Sequence, residues 1–111
     1  MQLFNKLLLQ PAKVGRIPYQ LPRHGVAGKA MVVSDQPVRV VATDEHGTSF
    51  AASEANTQHE LQLNFPVTMY PGSPWFLVIY NRNDKDTIVH YAVELALAWG
   101  GSSGASGPVG P

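Results

Sequence analysis

The run from Pro74 to Leu97 constrains the fold more than any other part of the chain, because it reads as two long β-strands joined by a polar turn. Trp75, Phe76, Leu77, Val78, Ile79 and Tyr80 make an extended segment apolar on both faces. Asn81 to Asp86 interrupts it, and Val89, Tyr91, Val93, Leu95 and Leu97 then alternate with Ile88, His90, Ala92, Glu94 and Ala96. A strand apolar on both sides needs cover on both sides, which places it centrally in a sandwich or barrel rather than in a lone sheet.

The strand signals upstream are regular. Lys29 to Ser34 reads as one strand, Asp35-Gln36-Pro37 as a turn, and Val38 to Thr43 as the next strand, with Val38, Val40 and Ala42 on one face and Arg39, Val41 and Thr43 on the other. Asp44-Glu45-His46-Gly47 has the composition of a hairpin turn, after which Thr48 to Ala52 pairs back. Ser53 to Gln58 is polar enough for a helical turn. His59, Leu61, Leu63 and Phe65 then alternate with Glu60, Gln62 and Asn64 until Pro66 ends the strand. With an N-terminal segment included, about seven or eight strands result at the spacing of an antiparallel, jelly-roll-like β-sandwich. The fold class is all-β.

At 111 residues the chain is one domain. Three parts are expected within it. Residues 1–28 form a basic arm or edge segment, because Pro11, Pro18 and Pro22 withhold ladder donors. Residues 29–99 form the sandwich core. Residues 100–111, rich in glycine, serine and proline, form a flexible tail with almost nothing to bury, whether a linker to a further domain, a native tail or an added remnant.

The absence of cysteine excludes disulfides, thiolate nucleophiles and thiolate metal sites. No window approaches the roughly 20 apolar residues of a membrane helix. The short apolar run Leu7 to Leu9 meets Pro11 without a small-residue cleavage site, so a cytoplasmic protein, or one exported without a cleaved signal, is expected.

Zero net charge conceals a split. Residues 1–34 carry Lys6, Lys13, Arg16, Arg23 and Lys29 and no carboxylate, while the remainder holds all eight carboxylates against Arg39, Arg82 and Lys85. The plainer reading is that the fold interleaves the two regions. The sharper one is that Lys13, Arg16 and Arg23 engage an acidic surface on a sister subunit or another protein. Spread-out basic residues and a pI near 6.9 argue against nucleic acid.

Catalytic signals do not hold together, and no catalytic, cofactor or metal residues are assigned. Gly100-Gly101-Ser102-Ser103-Gly104 matches the Gly-x-Ser-x-Gly elbow, yet neither acid nor histidine follows it. His24, His46, His59 and His90 lie far apart, without metal-ligand spacing. His90 and Glu94 share a strand face, which suits a His–carboxylate pair or simply the polar side of a half-exposed strand. Asn81 to Asp86 lacks the acid alternation of a calcium loop and fits a hairpin turn. Tyr19, Tyr70, Trp75, Tyr80, Tyr91 and Trp99 are the aromatic candidates for stacking on a sugar. Burial is the default for those in strands, so Tyr70 in its Pro-Gly turn and Trp99 at the edge of the tail are the two expected at the surface, too few to infer a carbohydrate site.

The order of features from Lys29 to Leu97 resembles small jelly-roll modules of the GOLD and bacterial prepeptidase type. The shared pattern is a valine-rich strand reaching an Asp-x-x-Gly turn (Val38 to Gly47), then Pro-Gly-x-Pro-Trp-Phe-Leu-Val-Ile-Tyr-Asn from Pro71 to Asn81, then a closing strand. What the resemblance implies is a non-catalytic module that binds proteins or accompanies other domains. The resulting expectation is a non-enzymatic protein-interaction module without cofactor, a homo-oligomer associating through its N-terminal segment and strand edges. The alternative is a small-ligand or carbohydrate module using Tyr70, Trp75 and the loops.

Overall fold

Alternating apolar residues and turn-forming residues set six strands within residues 4–97, the part that the computed structural model describes. They are β1 (Asn5–Leu9), β2 (Val14–Gln20), β3 (Val26–Asp44), β4 (Ser49–Asn64), β5 (Pro74–Tyr80) and β6 (Thr87–Leu97). All pairings are antiparallel, in the order β1-β6-β3-β5-β2 with β4 also on β3, and the sheet curls into a half-barrel. The expected tail at 100–111 lies outside the described residues.

The strand count is six rather than seven or eight, because two expected strand pairs are continuous. Along β3, Val26–Ser34 pairs with β6 and Arg39–Asp44 with β5, while β4 follows both halves on the other side. Between Val33 and Val38, four β3 residues face only Thr57 of β4, so the extra length bends the strand through a corner. Asp35-Gln36-Pro37 is that corner, not a strand end. Ser34 Oγ donates to the Gln36 carbonyl at 2.6 Å, Asp35 Oδ1 accepts from the Ile88 amide at 2.9 Å, and Asn83 Nδ2 donates to the Pro37 carbonyl at 2.7 Å.

Ser53 to Gln58 carries no helical turn; it is the matching bend of β4. Buried His59 fixes it, with Nδ1 2.7 Å from Ser53 Oγ and Nε2 2.8 and 2.9 Å from the carbonyls of Val38 and Asn56. Two carbonyls can only accept, so Nε2 carries a proton.

The open side of the curl is narrowed where β1 meets β2. A Cβ added at Gly15 would stand 2.7 Å from Leu7 Cδ2 and 3.1 Å from Leu9 Cδ2, so glycine lets these leucine side chains close over β2 without having to shift. The hairpin turn Asp44–Gly47 forms as its composition requires, with Asp44 Oδ1 accepting the amides of His46 and Thr48 and Gly47 at a φ of 85°.

Inside the curl, Val32, Val38, Val40, Leu63, Leu77 and Ile79 form a fully buried core. At one end Tyr19 stacks on Trp75 at 4.7 Å, and the Phe50 and Phe65 rings meet the indole edge-on at 6.2 and 5.1 Å. Burial, reinforced by the neighbouring Tyr91, pushes the Tyr19 phenol up to about 12. Below pH 10 the phenol is neutral in both folded and unfolded chains. Between about pH 10 and about 12 the unfolded phenol ionises while the folded one keeps its proton, so stability falls across that window. Denaturant unfolding at stepped alkaline pH should show a shallower decline for Tyr19→Phe than for the parent; equal declines would refute the assignment.

Candidate functional site

The structure spreads Lys13, Arg16 and Arg23 along one margin of the sheet instead of gathering them. Lys13 sits in the β1–β2 turn, its amide donating to Gln10 and its carbonyl accepting from the Asn81 amide at 3.0 Å. Arg16 lies mid-strand on β2, exposed, with its guanidinium 3.8 Å above the Phe76 ring. Arg23 is beyond the far end of β2, on the rim of a cleft of about 410 Å³ with His24, Phe65, Val67 and Met69. β2 pairs with β5 along its whole length, from Val14↔Tyr80 to Gln20↔Pro74, so residues 14–20 are an edge strand of the sheet rather than a free arm.

Tyr70 reaches the surface and Trp75 does not, while Trp99 lies outside the described residues. Tyr70 is 72% exposed in a turn closed by the Ser73 amide on its carbonyl, beside a cleft of about 250 Å³ that Asp44, Glu45 and His46 also line. Trp75 is fully buried in the aromatic cluster, and its Nε1 has no hydrogen-bond partner among the described residues. It is a core residue, and no ligand on the surface can reach its ring.

His90 and Glu94 do not engage each other. Glu94 turns to Lys29, 3.9 Å away, and Lys29 also meets Glu60 at 3.7 Å, while His90 lies in register between Lys6 and Val33. No group of three or more His, Asp or Glu side chains converges as a metal site among the described residues. No described helix is long and apolar enough to cross a membrane.

The sequence reading missed Arg39, Arg82, Phe76 and Tyr80 as surface residues acting together. Arg39 and Arg82 stand 5.8 and 5.6 Å from the centroid of the Tyr80 ring. Parity along β3 and β5 puts Arg39 and Tyr80 on outward faces, but their adjacency depends on the β3–β5 pairing, which residue spacing does not give.

Besides β2, two further edges stand open. β4 pairs with β3 alone, and its arm Gln58–Asn64 runs in unbroken register with Ala27–Val33, leaving a full row of outward backbone groups. β4 contains no proline or lysine, the guards most often set on an edge, and its charged residues are Glu54 and Glu60. β1 pairs only with β6, and beside it the outer face carries exposed apolar side chains: Phe4, Leu8, Val33 and Ile88.

No family model matches this chain. No curated protein matches it either.

Proposed function

We propose that the protein works by contact with other protein chains and catalyses no reaction, associating with its own kind through its strand edges and N-terminal strands. The regular outer edge of β4 over Gln58–Asn64, which has neither proline nor lysine, carries this reading. In an antiparallel pairing of this arm with itself about Leu61, Glu60 faces Gln62 and Gln58 faces Asn64. The contact is then two-fold and self-complementary, with no like charges directly opposed. The apolar patch of Phe4, Leu8, Val33 and Ile88 supplies a second contact beside β1.

We read the curl as a jelly-roll-like sandwich whose layers share β3 and β4 across their corners, in keeping with the resemblance to GOLD- and prepeptidase-type modules.

Removing the N-terminal segment is not a clean test, because β1 and β2 belong to the sheet. Sedimentation equilibrium of the intact chain is. The parent should form oligomers, and Gln58→Lys with Asn64→Lys, which sets lysine against lysine across the proposed contact, should return the mass to that of the monomer with an unchanged β circular dichroism spectrum. A parent that stays monomeric at high concentration would overturn this reading and favour the ligand-binding alternative on Tyr70 and its cleft, which a glycan array would then probe.

A further inference from the structure

The outer face of β2, β5 and the second half of β3 lies on the far side of the sheet from the core, and its register builds a small grid. Arg39, Tyr80 and Val14 form one row, Val41, Val78 and Arg16 the next, and Thr43, Phe76 and Pro18 the third. Val41 and Val78 point away from the core yet are only 4% and 6% exposed. With no further layer on this face among the described residues, the cover comes from neighbouring side chains: Phe76 and Tyr80, and the stems of Arg16 and Arg39.

We propose that this face is a docking site for an extended acidic segment of another protein, gripped by Arg16, Arg39 and Arg82. The proposal goes beyond self-association and uses a surface separate from the β4 edge.

Charge is the first support. None of the three guanidinia makes an ion pair among the described residues, where the salt bridges are those of Lys29 and His46. Asp84 and Asp86 share a loop with Arg82 and leave it unpaired. Each guanidinium is instead held over a ring, Arg16 on Phe76 and both Arg39 and Arg82 on Tyr80. A ring restrains the long side chain without neutralising it. Charge and N–H donors therefore remain available, and less side-chain freedom is lost when a carboxylate arrives.

Spacing is the second. Arg16 lies over Phe76, and Arg39 and Arg82 over Tyr80, rings four residues apart on β5 and so about 13 Å apart along the strand, too wide for one small anion to bridge but matched to carboxylates four residues apart on an extended peptide. The third support is Thr43, whose Oγ1 is buried on this face without a partner, so that a shift of the side chains covering it would give an incoming chain a hydroxyl to bond.

Nucleic acid fits less well. The aromatic faces that would stack on bases are already occupied by guanidinia, and three cations on a chain of zero net charge give little counterion release.

The test is fluorescence anisotropy of labelled hexaglutamate at low and high salt, with hexaglutamine, oligothymidylate and inorganic phosphate as comparison probes. Hexaglutamate should bind at low salt and be released at high salt, and hexaglutamine should not bind. Changing Arg16, Arg39 and Arg82 together to glutamine should weaken binding by at least about tenfold, and changing them together to lysine should restore it only in part, because the planar fork and its stacking are lost. Lys6→Gln with Lys29→Gln, on the other half of the sheet, should leave binding unchanged. Methyl chemical-shift mapping of the unmutated protein gives an answer that does not depend on variants folding: the shifts on adding hexaglutamate should centre on Val14, Val41 and Val78. Any of four results would overturn the proposal: no hexaglutamate binding, shifts centred elsewhere, equal loss in the Lys6 and Lys29 double variant, or tighter binding of oligothymidylate or phosphate than of hexaglutamate. Because the β4 lysine variant should still bind hexaglutamate, failure of this site and failure of self-association are read separately.

Discussion

Trp75→Ala is expected to remove about 3–5 kcal/mol of stability, the range for deleting a buried aromatic, from a domain whose total is of order 5–15 kcal/mol. The indole is fully buried and joins parts of the chain that are distant in sequence: Tyr19 of β2 against its face, Phe50 of β4 and Phe65 beyond it against its edges. Alanine would leave a void bordered by three rings that cannot all collapse into it. Trp75→Phe should cost much less, since it keeps most of the apolar contact and deletes the indole N–H that lacks a partner. Urea denaturation followed by circular dichroism measures both, and a loss below about 1 kcal/mol for alanine would show that the aromatic cluster contributes little.

Asn81→Asp should be nearly as damaging despite its equal size. Asn81 is 1% exposed, and its Nδ2 donates to the carbonyls of Leu9, Gln10 and Lys85 at 3.1, 3.0 and 3.0 Å while Oδ1 accepts from Asn83. It thereby clasps the end of β1, the turn after it and the β5–β6 loop. An aspartate sets an oxygen against three oxygens and buries a charge without a counter-ion, a loss of about 3–5 kcal/mol at neutral pH. Burial and carbonyl repulsion would raise that carboxyl in the fold above its unfolded value. On acidification the folded group takes up a proton first and becomes a donor, so the deficit relative to the parent should shrink as pH falls. Chemical denaturation at neutral and mildly acidic pH checks this, and a variant within about 0.5 kcal/mol of the parent at neutral pH would refute the clasp.

Local chemistry made part of the fold readable. β5 and β6 lie within a residue or two of where Trp75–Tyr80 and the alternation up to Leu97 put them, and the turn at Asp44–Gly47 follows from its residues. The corners in β3 and β4 were not readable. Asp35-Gln36-Pro37 has turn composition whether the chain reverses or merely bends, and only the switch of partner from β6 to β5 distinguishes the two. The second apolar face of β5 asked for another layer of structure; arginine stems and two aromatic rings provide the cover instead, a solution visible only once β2, β3 and β5 are known to be neighbours. The same dependence hid the arginine–aromatic face, whose residues come from three strands and a loop.

The pairing order has a consequence for biosynthesis. β1 and β2 leave the ribosome first, yet their partners β6 and β5 are the last strands of the sheet to be made, and the Asn81 clasp to Leu9 spans 72 residues. The β3–β4 hairpin can close as soon as it emerges, while the two leading strands wait with open ladders. Through that interval Leu7, Leu8, Leu9, Ile17 and Tyr19 are exposed on nascent chains, so the period before β5 appears is when the protein has most need of a chaperone.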